Sequence, residues 1–510
     1  MYRMFLALAA LVASVAASAE PVWQAAETKH FVIYSKSSNQ RIEELATDLE
    51  KYDKLLRMAT AIDEEVKPVR VRIYEVDDMS DVQKALGMDY TTGIGGFYTS
   101  NSLGPFLVTP RKTGLEPEHF TPEIVRHHEY SHHFMLQYFP ATYPGWYVEG
   151  FAELIGSSKV MDDGRIGYGM PARTRGNDIA VDWVPLQELM TNESVKYLDT
   201  YGQGWALTHF LTFDKERSAQ FRQYLAQLTA GKSFAEAAKV FGDLNELDRE
   251  ARRYVTAGTF TYRPVKVEIA KPVIMSMRRL SAGEAALVPQ VISYDDDDLD
   301  AIKKTGVRQH ELARRERNLQ RIRQVVAQYP GDPFALHFLA EAEYASGNYA
   351  QSEAAADRLL AIRPNDVDGL ARKSLAMSMG LATLSAGKAS AAAAARALAV
   401  KANQLDHDNP LPLLAYYQSF HEAGEKAPKL ATEGLMQAVS TLPANTSARE
   451  LLVDELASEH RWNEAMAWLA PIANDPHDSP LRDSARDKMD WLKKQLAADP
   501  KTKQAEQAAN

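Results

Sequence analysis

The chain contains no cysteine, which excludes a disulfide framework and a cysteine-linked lipid anchor. A basic cluster is also missing. The 58 lysines and arginines are outweighed by 68 aspartates and glutamates, for a net charge of −10, and an acidic chain with no basic patch argues against nucleic acid as a partner. Beyond the amino-terminal segment no run reaches the roughly 18 uninterrupted apolar residues of a membrane-spanning helix. Asp295 to Asp298 with Asp300 lack the alternating acidic pattern and glycine of a calcium loop, and read as a solvated linker. What is present at the start is Met1-Tyr2-Arg3, an apolar run from Met4 to Ala17, and Ala17-Ser18-Ala19. That is the pattern of a cleavable secretory signal, so a soluble periplasmic or secreted mature protein is expected.

The most specific stretch is His128-Glu129-Tyr130-Ser131-His132. Residues four apart on a helix share one face, about 6 Å apart, so two imidazoles placed this way can reach one tetrahedral Zn²⁺. The intervening Glu129 can then deprotonate a water at the metal. Thr121 and Pro122 suit the cap and first position of such a helix, and Pro140 and Pro144-Gly145 punctuate its far end. His127 and His133 make the segment rich in histidine, so the pentapeptide needs support from elsewhere.

That support is Glu149, with sixteen residues between it and His132, in Trp146-Tyr147-Val148-Glu149-Gly150-Phe151-Ala152-Glu153. Catalytic zinc sites use three protein ligands and keep a fourth position open, His₂Glu being one standard set. Glu149 on a second helix, crossing the first, would complete it. Glu153, one turn on, could accept the remaining ring N–H of His128.

These residues resemble the gluzincin zinc metallopeptidases, the group of thermolysin and aminopeptidase N, and most of all the bacterial peptidase MA-like branch. The resemblance spans about residues 25–256. It implies one zinc ion held by His128, His132 and Glu149, with Glu129 as general base. Tyr201-Gly202-Gln203-Gly204 is similar to the Tyr-x-Lys-Gly helix of the aminopeptidase branch, which implies Tyr201 as the oxyanion stabiliser; Tyr197 is the competing tyrosine. His209, further along that helix, reads as a packed histidine rather than a ligand. Three departures stand out: a shorter His-to-Glu spacing, Gln203 in place of lysine, and Gly95-Gly96-Phe97-Tyr98-Thr99 where aminopeptidases carry a glutamate for the substrate amino terminus. An endopeptidase, or a peptidase for one partner, follows better than an aminopeptidase. The Gly-Gly-aromatic run, with Phe106 to Thr109, reads either as an edge strand receiving peptide substrate or as a plain structural strand.

Strand-like runs at His30 to Tyr34 and Val69 to Val76 flank helical spacing from Arg41 to Ala59. Further helices are expected over 146–157, 201–213, 219–228 and 234–240. From about Val307 to Leu496 the chain is helical with a repeat: Pro330 and Pro364 lie 34 residues apart, and Pro443 and Pro476 lie 33 apart, near the tetratricopeptide period. The expected fold is thus an α+β metallopeptidase-like domain, a small mixed sheet plus the helices carrying the zinc motif, followed by an all-α tetratricopeptide-like repeat domain. Boundaries are expected at 1–19 (signal), 20–256 (peptidase-like), 257–305 (β-containing linker, from alternation at Tyr262, Val265, Val267 and Ile269), 306–496 (repeats) and 497–510 (polar tail). The expected activity is zinc-dependent peptide hydrolysis, with the repeats recruiting a peptide or protein partner. The rival is a non-catalytic scaffold whose repeats bind the partner.

Overall fold

A computed structural model describes residues 22–499, apart from 65–68, 88–93, 102, 115–120, 140, 173–174, 176–182, 193–200, 295–301, 303–304, 443–444 and 474–479. The segment expected to be a signal, the Asp295–Asp298 run, Tyr197 and most of the tail lie outside the described residues. The N-terminal part runs β1 (Gln24–Glu27), β2 (Phe31–Ser35), α1 (Asn39–Thr60), β3 (Val71–Asp78), α2 (Met79–Ala85), β4 (Phe97–Asn101), β5 (Gly104–Lys112), α3 (Pro122–Tyr138) and α4 (Gly145–Gly156). Short strands β6 (Lys159–Val160), β7 (Ile166–Tyr168) and β8 (Arg263–Val265) form a second, three-stranded sheet. Strand β9 (Ser276–Arg279) completes the main sheet, whose order is β4-β5-β3-β2-β1-β9. The central pairs β2–β3 and β3–β5 are parallel and the outer pairs antiparallel.

Side-chain alternation splits the sheet into two faces. Phe31, Ile33, Val71, Ile73 and Leu107 belong to one core with Ile42, Leu45, Leu49, Tyr52 and Leu56 of α1 and with Tyr130 and Phe134 of α3. Helix α1 forms where its apolar positions recur at helical spacing. The Ser38 side chain caps it, accepting from the Arg41 N–H, and it ends at Ala61 in a left-handed conformation. On the opposite face, Tyr34, Tyr74, Val76, Phe106 and Val108 share a core with Leu287 and Val291 of the Ala282–Ile292 helix, Leu319 and Ile322 of Thr305–Gln328, and Leu336 and Phe338 of Pro333–Ala345. The first repeat helices are therefore a structural layer of the N-terminal sheet. Fully burying such a side chain contributes about 1.5–3 kcal/mol, so cutting the chain near 305 would strip one face of the sheet.

The segment expected as a linker is built in instead of spanning two domains: β8 and β9 each add an edge to a sheet. The alternation at Tyr262 to Ile269 yields only the short β8, while Ser276–Arg279 carries just one apolar residue, Met277, and shows its strand only through pairing with β1.

Beyond it, helices pair as hairpins at 333–362, 367–405, 410–441 and 446–473, and Pro480–Ala498 follows as a single closing helix. Each hairpin opens on an acidic or amide N-cap: Asp332, Asp366, Asn409 and Asn445 accept from the backbone N–H groups of Ala335, Gly369, Leu411 and Ala448. Each buries its apolar face against the next, as stacked repeats do. The array returns to the N-terminal part, where the Gln137 amide of α3 donates to the Ser440 carbonyl at 3.4 Å. Among the described residues no helix is long and apolar enough to cross a membrane.

Candidate metal centre

Thr121 caps α3 with its side chain on the Ile124 N–H, and Pro122 takes the first turn, where no N–H is needed. Helix α1 then holds α3 by polar contacts. The Tyr130 hydroxyl donates to Asp53 at 2.7 Å, the His127 ring lies 3.0 Å from Asp48 and stacks on Tyr52 at 3.7 Å, and the Arg57 guanidinium donates to the Tyr138 hydroxyl at 2.7 Å. His127 is thus committed to α1. His133 turns toward β4, 3.1 Å from the Tyr98 hydroxyl. Helical geometry sorts the four histidines, leaving His128 and His132 on the face toward α4.

Helix α4 brings Glu149, fully buried, against that face. His128 Nε2 lies 3.2 Å from Glu149 Oε2, His132 Nε2 lies 3.3 Å from Glu149 Oε1, and the two Nε2 atoms are 3.1 Å apart. Zinc–ligand bonds of about 2.0–2.1 Å imply tetrahedron edges of about 3.3 Å, so these spacings fit the three donors around one zinc ion. Electrostatics agree. Burial by itself lowers the His128 pKa, but the carboxylates of Glu149 and Glu153 more than reverse this and hold it well above the ordinary imidazole value. A pocket that so favours positive charge suits a cation. Glu153 Oε1 lies 3.3 Å from His128 Nδ1, the contact that fixes the tautomer and orientation of a ligand histidine. Burial raises the Glu153 pKa, and the His128 and Arg175 contacts more than offset that, lowering it.

Close helix crossing makes this convergence possible. A Cβ on Gly150 would lie 2.3 Å from the Gly204 carbonyl oxygen, and one on Gly204 would lie 2.4 Å from that of Trp146. With only hydrogen there, α4 and the Tyr201–Phe213 helix touch backbone to backbone. Tyr201 thereby stacks over His128, ring centroids 6.0 Å apart. Gln203 is buried away from the candidate metal face, its amide bridging both backbone groups of Val184 at 2.6 and 2.9 Å. His209 is a packed histidine: one ring nitrogen lies 2.8 Å from the Gly169 carbonyl, the other 2.8 Å from the Tyr254 hydroxyl, and burial pulls its pKa down to about 4.

Two residues of the site escaped sequence reasoning. Arg175 donates to Glu153 at 2.6 Å and lies over the Tyr201 ring, 4.5 Å from its centroid; its surroundings carry no helical or strand periodicity to flag it. The Tyr98 backbone N–H donates to Glu129 Oε2 at 3.0 Å, from β4 at the open edge of the sheet. The Gly95-Gly96 run was its only signal.

No family model matches the chain, and no curated protein matches it. Solved structures that resemble it include a thermophilic tetratricopeptide protein of Thermus thermophilus, with TM-score 0.31 and 21% identity over 37% of this chain and 98% of that one. A tetratricopeptide repeat protein from Parabacteroides merdae has TM-score 0.28 and 13% identity over 40% of this chain and 80% of that one. Yeast Tom70 has TM-score 0.26 and 10% identity over 74% of this chain and 72% of that one. TM-scores this low leave the overall shapes different, so the likeness assigns no activity to this chain.

Proposed function

We propose that this chain is a zinc-dependent peptidase whose helical hairpins bind a protein substrate or partner. The observation that supports it best is the meeting of two imidazole nitrogens and a buried carboxylate at 3.1–3.3 Å. His128, His132 and Glu149 would hold the ion. Zinc there would supply Lewis-acid polarisation of a peptide carbonyl and of the attacking water. Glu129 would take the proton from that water and pass it to the leaving amine. The Tyr201 hydroxyl would donate a hydrogen bond to the oxygen on which charge develops, and Glu153 with Arg175 would keep the His128 ring oriented. In Glu129→Gln, zinc content should match the parent while cleavage of a peptide library collapses. Equal cleavage by the variant would refute the role of Glu129.

A second reading is a scaffold in which the hairpins bind a protein partner and no peptide is cut. The extent of the hairpins, residues 333–473, favours it. Zinc-loaded parent protein that binds a partner yet cuts no member of a broad peptide library would establish this reading over the first.

A further inference from the structure

Resting on the peptidase reading, we infer that the Gly96–Tyr98 segment positions the Glu129 carboxylate. Tyr98 reaches α3 twice. Its backbone N–H donates to Glu129 Oε2 at 3.0 Å, and its hydroxyl lies 3.1 Å from His133 Nδ1, one turn further along the same helix.

The pairing of β4 explains why this N–H is available. Opposite residues of an antiparallel pair alternate between bonding each other and pointing outward. Tyr98 pairs with Leu107 and Ser100 with Pro105. Proline has no N–H to give, which suits the outward-pointing set. Tyr98, two residues from Ser100, belongs to that same set and spends its N–H on Glu129. Gly96 sets the approach. A Cβ there would stand 2.4 Å from Val125 Cγ1 of α3, 3.0 Å from the Val108 carbonyl oxygen and 3.6 Å from Glu129 Cγ. Only hydrogen lets the strand come close enough for the Tyr98 N–H to reach the carboxylate. Tyr98 is thus a positioning residue: it fixes one carboxylate oxygen on the sheet edge, so Glu129 meets the metal face in one orientation.

The experiment uses the full-length chain and has two arms. In zinc-free protein, hydrogen exchange at the Tyr98 amide should speed up at least tenfold in Glu129→Ala and in Gly96→Ala, with global protection unchanged in the former. Unchanged exchange in Glu129→Ala would overturn the tether whatever the catalysis shows. In zinc-loaded protein, Gly96→Ala, which pushes the strand and its Tyr98 N–H away from Glu129, should lower kcat about tenfold while KM and zinc affinity stay within about twofold, a split that loss of folded protein would not produce. Full kcat in Gly96→Ala would overturn the positioning role. A parent that cuts no peptide defeats the peptidase reading instead, and the amide exchange then decides the tether alone.

Discussion

Replacing Gly150 by alanine should damage the proposed metal centre although Gly150 offers it no ligand atom. The added Cβ would sit 2.3 Å from the Gly204 carbonyl oxygen, 2.3 Å from Thr208 Oγ1 and 2.6 Å from the Gly204 carbonyl carbon. Thr208 could rotate aside; the Gly204 backbone, inside a helix, could not. Restoring ordinary contact needs about 1 Å of separation between the two helices, and overpacking of that kind costs about 1–3 kcal/mol. Glu149 is the preceding residue, so its carboxylate moves with α4 away from imidazoles held on α3. A metal site tolerates about ±0.2 Å in its bond lengths. A shift several times that should weaken zinc binding by about 10–100-fold, the range seen when a ligand's support is lost. Zinc affinity measured by chelator competition, alongside a thermal melt of the metal-free protein, reads both effects. Gly380→Ala is the control, since nothing lies within 4 Å of a Cβ there. If Gly150→Ala binds zinc within twofold of the parent with an unchanged melt, the close crossing does not set the ligand geometry.

Two further outcomes follow. Glu153→Gln removes the carboxylate 3.3 Å from His128 Nδ1 and the partner of Arg175; chelator competition should show about 10–100-fold weaker zinc binding with little loss of secondary structure by circular dichroism. His209 gives a stability change with a definite sign. Its folded pKa of about 4 lies below its ordinary value of 6.5, so acid protonates the unfolded chain first. Stability is complete above pH 6.5 and is lost as the pH falls toward 4, by about 2 kcal/mol between pH 7.5 and 5. Urea unfolding followed by tryptophan fluorescence should show that loss in the parent and a smaller one in His209→Gln.

Much of the N-terminal part could be read from local spacing. The α3 cap at Thr121, the helical runs over α1, α4 and 201–213, and the strands near His30 and Val69 all follow from periodicity and end signals acting within a few residues. The repeat units opening at Pro333 and Thr446 were legible for the same reason, each near the tetratricopeptide period, whereas the hairpins between them, opening at Val367 and Pro410, are a longer alanine-rich unit and a degenerate one. Strands β1 and β9 were not. Gln24–Glu27 and Ser276–Arg279 are short and mostly polar or small; β1 is a strand through its pairing with both β2 and β9, and β9 becomes one only by finding β1 across some 250 intervening residues.

The pentapeptide at His128 and the two glutamates one turn apart were visible as a pattern of donors, because a helix puts every fourth residue on one face whatever surrounds it. Which histidines turn to the metal face, and which to α1 or the edge strand, depends on what packs around α3. No local rule says that Asp48 and Tyr52 capture His127, that Arg175 lands on Glu153 and Tyr201, or that the backbone of β4 holds Glu129. Those partners lie 22 to 79 residues away, and only close packing of crossed helices and a sheet edge brings them within bonding distance.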